Sequence, residues 1–388
     1  MKLITTTEDL AAFCAEAHAA PYVTVDTEFL RERTYYSKLC LLQMALPGAD
    51  GPETGPAVLV DPLANGLSLA PFFELLRDES TVKVLHAARQ DLEIFYFDGR
   101  TLPTPLFDTQ IAAMVCGFGD QIGYETLVRK LAKGNIDKSS RFTDWSRRPL
   151  SEAQLRYALA DVTHLRVIYE QLAAKLEASG RAGWVAEELA VLNDPETYIS
   201  RPEDAWQRIK TRNDSGRFLA ILRELAAFRE GFAQSRNVPR ARVFKDDALL
   251  ELASVKPRTI EDLGRTRLLL REARKGEIAQ GILDAVARGL ACPPEDFPKL
   301  SNQRENMNVN PALADLLRVL LKAKSDSTGV AAKLIASSSD LDAMASGYRD
   351  VPALSGWRAE VFGADALRLC RGEVGLALSG SYVKVFAL

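Results

Sequence analysis

The sequence predicts an α/β domain followed by an all-helical tail in two parts. Three observations predict it. Three short apolar runs near the N-terminus are followed by alternating strand and helix signals, the pattern of a mixed sheet flanked by helices. Composition then shifts at Asn193–Pro202 (NDPETYISRP), a stretch with two prolines and several turn formers that reads as a linker. Beyond it nearly every segment is an amphipathic helix, interrupted by a second linker at Cys292–Pro298 (CPPEDFP). The expected domains are 1–195, 203–292 and 300–388.

Taken in order, Tyr22–Glu28 (YVTVDTE) alternates apolar and polar residues, Lys38–Leu46 (KLCLLQMAL) is a second apolar run, and Ala57–Val60 is a third, closed by Asp61-Pro62. No helix signal separates them, so an antiparallel meander is expected. A helix follows around Pro71–Arg77, then a strand at Val82–Leu85, a helix from Arg89 to Phe97 and an apolar stretch near Phe107. The domain closes with a helix from Ser151 to about Ala178, whose Ser151 and Gln154 have capping-box spacing. In the tail, Leu219–Gln234, Asp246–Ala253, Thr259–Gly264 and Leu268–Arg288 read as helices, and a second helical set runs from Pro311 to about Ala377. Both parts read as a long helix, a short helix, an apolar turn such as Val351–Trp357 and a final helix. They have the form of two small bundles, divergent copies of one another.

Composition narrows the function classes. The chain of 388 residues is 47% hydrophobic and 26% charged, as globular proteins are, and no run approaches the 18 apolar residues of a membrane span. Five cysteines (14, 40, 116, 292, 370) form no CxxC pair and only three histidines accompany them, so reduced thiols in the cytoplasm are expected rather than a cysteine-held zinc. Acids within MKLITTTEDLAAFCAEAHAA argue against a secretory signal, and the absence of GxxxxGK[ST] excludes a P-loop ATPase. The net charge of -3 counts against a polyanionic partner. By region the picture changes: residues 201–290 carry 19 Lys and Arg against 13 Asp and Glu, a surplus of 6. Such a bundle suits phosphate binding, although a helix surface laced with ion pairs gives the same count.

Three elements carry chemistry. Asp26 and Glu28, two apart on a strand, point to one face with Val23 and Val25 on the other. They are either a solvated acidic edge or a site for a hard divalent cation. Asp91 falls in the first turn of the helix after the Val82–Leu85 strand, where it complements the helix dipole or joins a functional cluster at the strand end. Tyr157 and Asp161, at i and i+4, share a face of the well-capped helix. His86 and His164 are expected to be structural, and Phe29 packs either into the core or on a nucleic-acid base. Arg141, Arg147 and Arg148 are candidate phosphate contacts, and Asp108 either supports the site or caps a helix.

In this order, V-D-T-E-F (Val25–Phe29), H-A-A-R-Q-D-L-E (His86–Glu93) and Y-A-L-A-D (Tyr157–Asp161) resemble the three motifs of the DEDD exonuclease superfamily, tyrosine-bearing branch. TVDTEFLRERT (Thr24–Thr34), FDTQIA (Phe107–Ala112) and DWSRRP (Asp144–Pro149), together with the helical tail, look like the ribonuclease D family. The resemblance covers essentially the whole chain. It implies an α/β ribonuclease H-like exonuclease domain followed by two all-α HRDC-like bundles, the second more degenerate. It further implies two divalent metal ions (Mg²⁺ or Mn²⁺) held by Asp26, Glu28, Asp91 and Asp161, with Tyr157 orienting a water. The implied activity is 3′→5′ exoribonuclease, releasing nucleoside 5′-monophosphates from structured RNA, notably the 3′ ends of tRNA precursors. A cytoplasmic monomer is expected. The same acids would serve a DNA exonuclease, and a non-catalytic RNA binder could keep the fold without them.

Overall fold

The computed structural model describes residues 2–300 and 307–388. Its first part is built on six strands: β1 (Lys2–Ile4), β2 (Tyr22–Leu30), β3 (Lys38–Ala45), β4 (Ala57–Val60), β5 (Val82–Leu85) and β6 (Leu106–Asp108), arranged in the order β1-β4-β3-β2-β5-β6. β3 and β4 are antiparallel, as the short helix-free connection requires. β1–β4, β2–β5 and β5–β6 are parallel, so the sheet is mixed. Helices α1 (Thr7–His18), α2 (Ala70–Arg77), α3 (Arg89–Gly99), α4 (Thr109–Val115), α5 (Tyr124–Leu127), α6 (Glu152–Ser179) and α7 (Ala182–Leu192) complete this part. Val23, Val25, Leu41, Leu42, Leu59 and Val84 are fully buried in its core.

The parallel β2–β5 pairing matters most for function. Tyr22, Val23 and Thr24 pair with Val82, Lys83 and Val84. Both strands therefore end on the same sheet edge, where α/β folds present functional groups. Asp26 and Glu28 lie past the stretch of β2 that pairs with β5, and α3 begins just past the end of β5 with Asp91 in its first turn.

The tail contains α8 (Gly216–Ser235), α9 (Arg240–Val243), α10 (Asp246–Val255), α11 (Ile260–Gly264) and α12 (Gly276–Ala291). Its core is built from Leu222, Leu225, Phe244, Leu249, Leu252, Ile282 and Val286, with Tyr35 packed against it. α8 and α12 approach so closely that a Cβ on Gly289 would sit 2.5 Å from the Ile221 Cα, which only glycine permits. The expected single helix over Leu268–Arg288 is corrected: Lys275 is extended and Gly276 left-handed at φ +62°, so the helix starts only at Gly276. Many of the surplus arginines are ion-paired within this bundle, among them Arg229–Asp246, Arg236–Glu277, Arg240–Glu230 and Arg288–Glu224.

The last part comprises α13 (Pro311–Thr328), α14 (Ala332–Ile335), α15 (Ser338–Ala345), α16 (Gly356–Arg358), α17 (Ala364–Cys370) and an antiparallel hairpin of β7 (Val374–Ser379) and β8 (Tyr382–Ala387). The hairpin corrects the all-α expectation for 300–388. Its cause is local: VGLALS and YVKVFA carry β-branched and aromatic residues, and a two-residue Gly380-Ser381 turn joins them, with Gly380 at φ +65°. The described residues of Met1–Glu28, Cys40–Thr197 and Gln303–Leu388 form one compact unit, and those of Phe29–Leu39 and Tyr198–Asn302 a second. Within the first unit Trp184 of α7 stacks on Trp357 at 4.8 Å, and Arg358 pairs with Glu188. All five cysteines are free, and no described helix is long and apolar enough to cross a membrane.

Candidate active site

One hydroxyl and one phenol bring the chain's distant acids together. The Thr24 hydroxyl of β2 donates to the Val162 carbonyl of α6 at 2.9 Å, and the Tyr124 hydroxyl donates to the Asp161 carbonyl at 2.6 Å. Arg166, buried in the same helix, donates to the carbonyls of Leu46 and Gly55 at 2.7 and 2.8 Å. The helix itself starts where the sequence says: Ser151 and Gln154 form the reciprocal capping box. α6 is thus pinned at Asp161 and just beyond it: to α5 through Tyr124, to β2 through Thr24 and to the β3–β4 connection through Arg166.

The result is a carboxylate cluster. Oxygens of Asp26, Glu28 and Asp161 all lie within 4.8 Å of one another. Asp91, buried, stands beside them and accepts a hydrogen bond from the Thr27 hydroxyl, while its charge reaches both Asp26 and Glu28. Burial and mutual repulsion make every acid resist ionisation. Burial, then the charges of Asp161, Asp91 and Glu28, raise Asp26 well above the usual carboxyl range. Burial and the neighbouring acids push Glu28 up to about 9. Asp91 and Asp161 rise to about 7, chiefly by burial, each opposed by a hydrogen bond, from Thr27 and Tyr157 respectively.

Tyr157 stands one helical turn from Asp161, as the i, i+4 spacing predicts, and its hydroxyl favours the ionised carboxylate there. Burial and then the charges of Asp161, Glu28 and Asp26 raise its phenol, so the hydroxyl keeps its proton at neutral pH. Its ring lies 6.1 Å from that of Trp145. All five sequence-predicted residues therefore converge, three of them as a compact oxygen-donor set with Asp91 and Tyr157 adjoining it.

Sequence reasoning left one supporting residue undecided. Asp108 does two jobs: it caps α4 by accepting from the Gln110 N–H at 2.7 Å, and it accepts from the N–H groups of Ala87 and Ala88 at 3.0 and 2.8 Å. Ala87 sits at φ +56°, a left-handed conformation costly for a residue with a Cβ, and this turn delivers Asp91. Only the cap was visible in the sequence; the second set of donors lies about twenty positions upstream. We expect Asp108→Ala to lose about 1–2 kcal/mol of stability and to slow catalysis by loosening Asp91. A urea melt and kcat on the same preparation would check this; unchanged stability contradicts it.

Of the arginines, Arg148 is not a free phosphate contact. It forks onto Asp61 with two bonds of 2.6 Å and donates to the Cys40 carbonyl, a partly buried bidentate tie. Arg147 is exposed and faces Asp144 at 3.4 Å. Arg141 projects its charge onto Glu28 and Asp161. His86 is held by Thr109 at 3.0 Å and by the Tyr124 ring, and burial keeps it neutral, as a structural histidine should be. His164 is also lowered by burial.

Known proteins resemble this chain over its whole length. The 3′-5′ exonuclease family matches residues 1–177 and the HRDC domain family residues 218–286. The ribonuclease D of Jannaschia sp. (strain CCS1) is 65% identical over 382 residues, spanning 98% of each chain. That of Granulibacter bethesdensis is 50% identical over 385 residues, spanning 99% of this chain and 96% of its own. The chain belongs to the ribonuclease D family. It is accordingly a hydrolytic 3′→5′ exoribonuclease. The crystal structure of Escherichia coli RNase D, described as an exoribonuclease involved in structured RNA processing, superposes with a TM-score of 0.82 at 30% identity, covering 95% of this chain and 98% of that one. An exonuclease domain with a mixed sheet flanked by helices, followed by an HRDC domain, is thus the architecture of the ribonuclease D family here too.

Proposed function

We propose that Asp26, Glu28, Asp91 and Asp161 hold two divalent cations, Mg²⁺ or Mn²⁺, and that the chain trims the 3′ ends of tRNA precursors and other structured RNAs. The observation that supports this most is the protonation cost of the cluster. Carboxylates crowded together, Asp91 and Asp161 buried and Asp26 and Glu28 half-buried, cannot all ionise at neutral pH unless cations balance them. All donors are carboxylate oxygens, which suit hard divalent ions, and the residues therefore fit the metal. When bound, such ions act as Lewis acids on the phosphate oxygens and make water a competent nucleophile.

The chain's own groups do the rest. The protonated Tyr157 hydroxyl, beside Asp161, orients the attacking water in line with the last phosphodiester. Water adds to phosphorus, the bond to the 3′-oxygen breaks, and a nucleoside 5′-monophosphate leaves with a new 3′-hydroxyl on the RNA. Thr27 keeps the Asp91 carboxylate oriented. For the tail we propose HRDC-type RNA handling by 203–292, with 300–388 a diverged second copy built around α13 and its own core of Leu317, Leu320, Ile335 and Phe362.

The test is to incubate the protein with 3′-extended tRNA and with single-stranded DNA, with and without EDTA, and to identify the products. Release of 5′-mononucleotides from the RNA only with free metal is expected. Metal-independent cleavage, or 3′-monophosphate products, overturns the reading. In the same assay Tyr157→Phe should slow the single-turnover rate by about 10- to 1,000-fold while RNA affinity changes little. An unchanged single-turnover rate removes its role.

A further inference from the structure

Phe142 is 91% exposed on the stretch that leads from the turn at Lys138–Ser140 into α6. A phenyl ring left in water forgoes about 2 kcal/mol of burial, yet single exposed apolar residues are common, so exposure alone assigns nothing. Its surroundings do. The Arg141 guanidinium stands 5.2 Å from the ring centroid, and among the described residues it has no carboxylate in ion-pair distance. That same cation is near enough to Glu28, Asp161 and Tyr157 to bias their charges.

The segment carrying the ring is also tied down. Thr143, the next residue, donates to the Ser140 carbonyl at 2.8 Å and accepts from Gln154 of α6 at 3.0 Å. Gln154 lies one turn before Tyr157, and the Trp145 ring faces Tyr157. An aromatic ring and an uncommitted guanidinium are thus held side by side at a nuclease site, with solvent on the ring's open face. Bases stack on such rings whatever their identity, because every base has a π-face, and Arg beside them takes phosphate.

We propose that Phe142 is a stacking platform for one of the last two bases of the bound RNA 3′ end, and that Arg141 contacts the adjoining phosphate. This rests on the exonuclease reading of the carboxylate site and adds to it how the strand end is gripped without sequence preference. Phe142 acts as a positioning residue; it does no chemistry.

The experiment uses the full chain and short RNAs whose last linkage carries a methylene in place of the bridging 3′-oxygen, so that binding is read without hydrolysis. One RNA has 2-aminopurine as its last base, a second as its penultimate base, and a third has both positions abasic. Wild-type protein should quench one of the two fluorescent RNAs. Phe142→Ala should lose that quenching and weaken Kd by about 5- to 150-fold, Phe142→Trp should restore both, and Phe142→Leu should not. All variants should bind the abasic RNA alike. Wild-type affinity in Phe142→Ala, or an equal loss on the abasic RNA, overturns the proposal. Failure of the exonuclease reading would show instead as absent hydrolysis of ordinary RNA, a separate measurement.

Discussion

Asp161→Asn is expected to reduce metal-dependent RNA degradation by at least about 10³-fold while making the metal-free protein more stable. The two effects have one origin. Asp161 is placed against Asp26 and Glu28 by the Thr24 and Tyr124 ties to α6, and its carboxyl is held at about 7 rather than near 4. An amide keeps the shape and a donor–acceptor pair but removes a charge that the folded state tolerates poorly. Removing it relieves repulsion on the neighbouring acids and deprives the cluster of a cation ligand. Thermal melts in EDTA should therefore show a higher Tm for the variant, whereas added Mg²⁺ or Mn²⁺ should raise the wild-type Tm more than the variant's. Wild-type degradation rates in Asp161→Asn would remove the site assignment. A lower Tm in EDTA would instead contradict the electrostatic account.

The second large effect is on stability against pH without metal. Glu28 at about 9 and Asp91 and Asp161 at about 7 are all above their unfolded values near 4. Between about pH 4 and about pH 9 the folded state therefore binds more protons than the unfolded chain, and stability must fall as pH rises through that window. The contribution is complete below about pH 4, where both states are protonated. In EDTA the Tm should decline from about pH 5 to about pH 9, and saturating Mg²⁺ should flatten the decline by making the ionised cluster the stable one. A Tm that stays level across this range in EDTA would show that the acids are not coupled to folding. The slope should also be shallower in Asp161→Asn.

The site was legible because its residues carry their own local signals. Asp26 and Glu28 sit on an alternating strand, Asp91 follows a strand after a short turn, and Tyr157 and Asp161 share a face of a helix whose capping box is written in Ser151 and Gln154. What was missed depends on partners far away in the chain. The three-residue β1 is too short to show a period and exists because β4 pairs with it. Arg148 reads as a loop cation until Asp61 is seen to fill its fork. Asp108 shows its cap but not its hold on Ala87. The β7–β8 hairpin was missed for a different reason: its alternation and Gly-Ser turn are local, but they follow directly on a helical run and were read as its continuation. Phe142, an apolar residue in a loop, gives no hint in sequence that it stays in water.

The interleaving of the two compact units has a consequence for synthesis. The helical unit needs only Phe29–Leu39 and the segment that starts at Tyr198, and both precede α13 in the chain. The sheet unit needs residues from 307 onward, including Trp357 to cover Trp184 and Arg358 to neutralise Glu188. A nascent chain stalled near residue 300 would therefore carry every segment of the bundle, but a sheet unit with a bare indole and an unmatched carboxylate. Emergence from the ribosome and closure of the molecule run in different orders: the middle is complete first, and the outer segments find each other last.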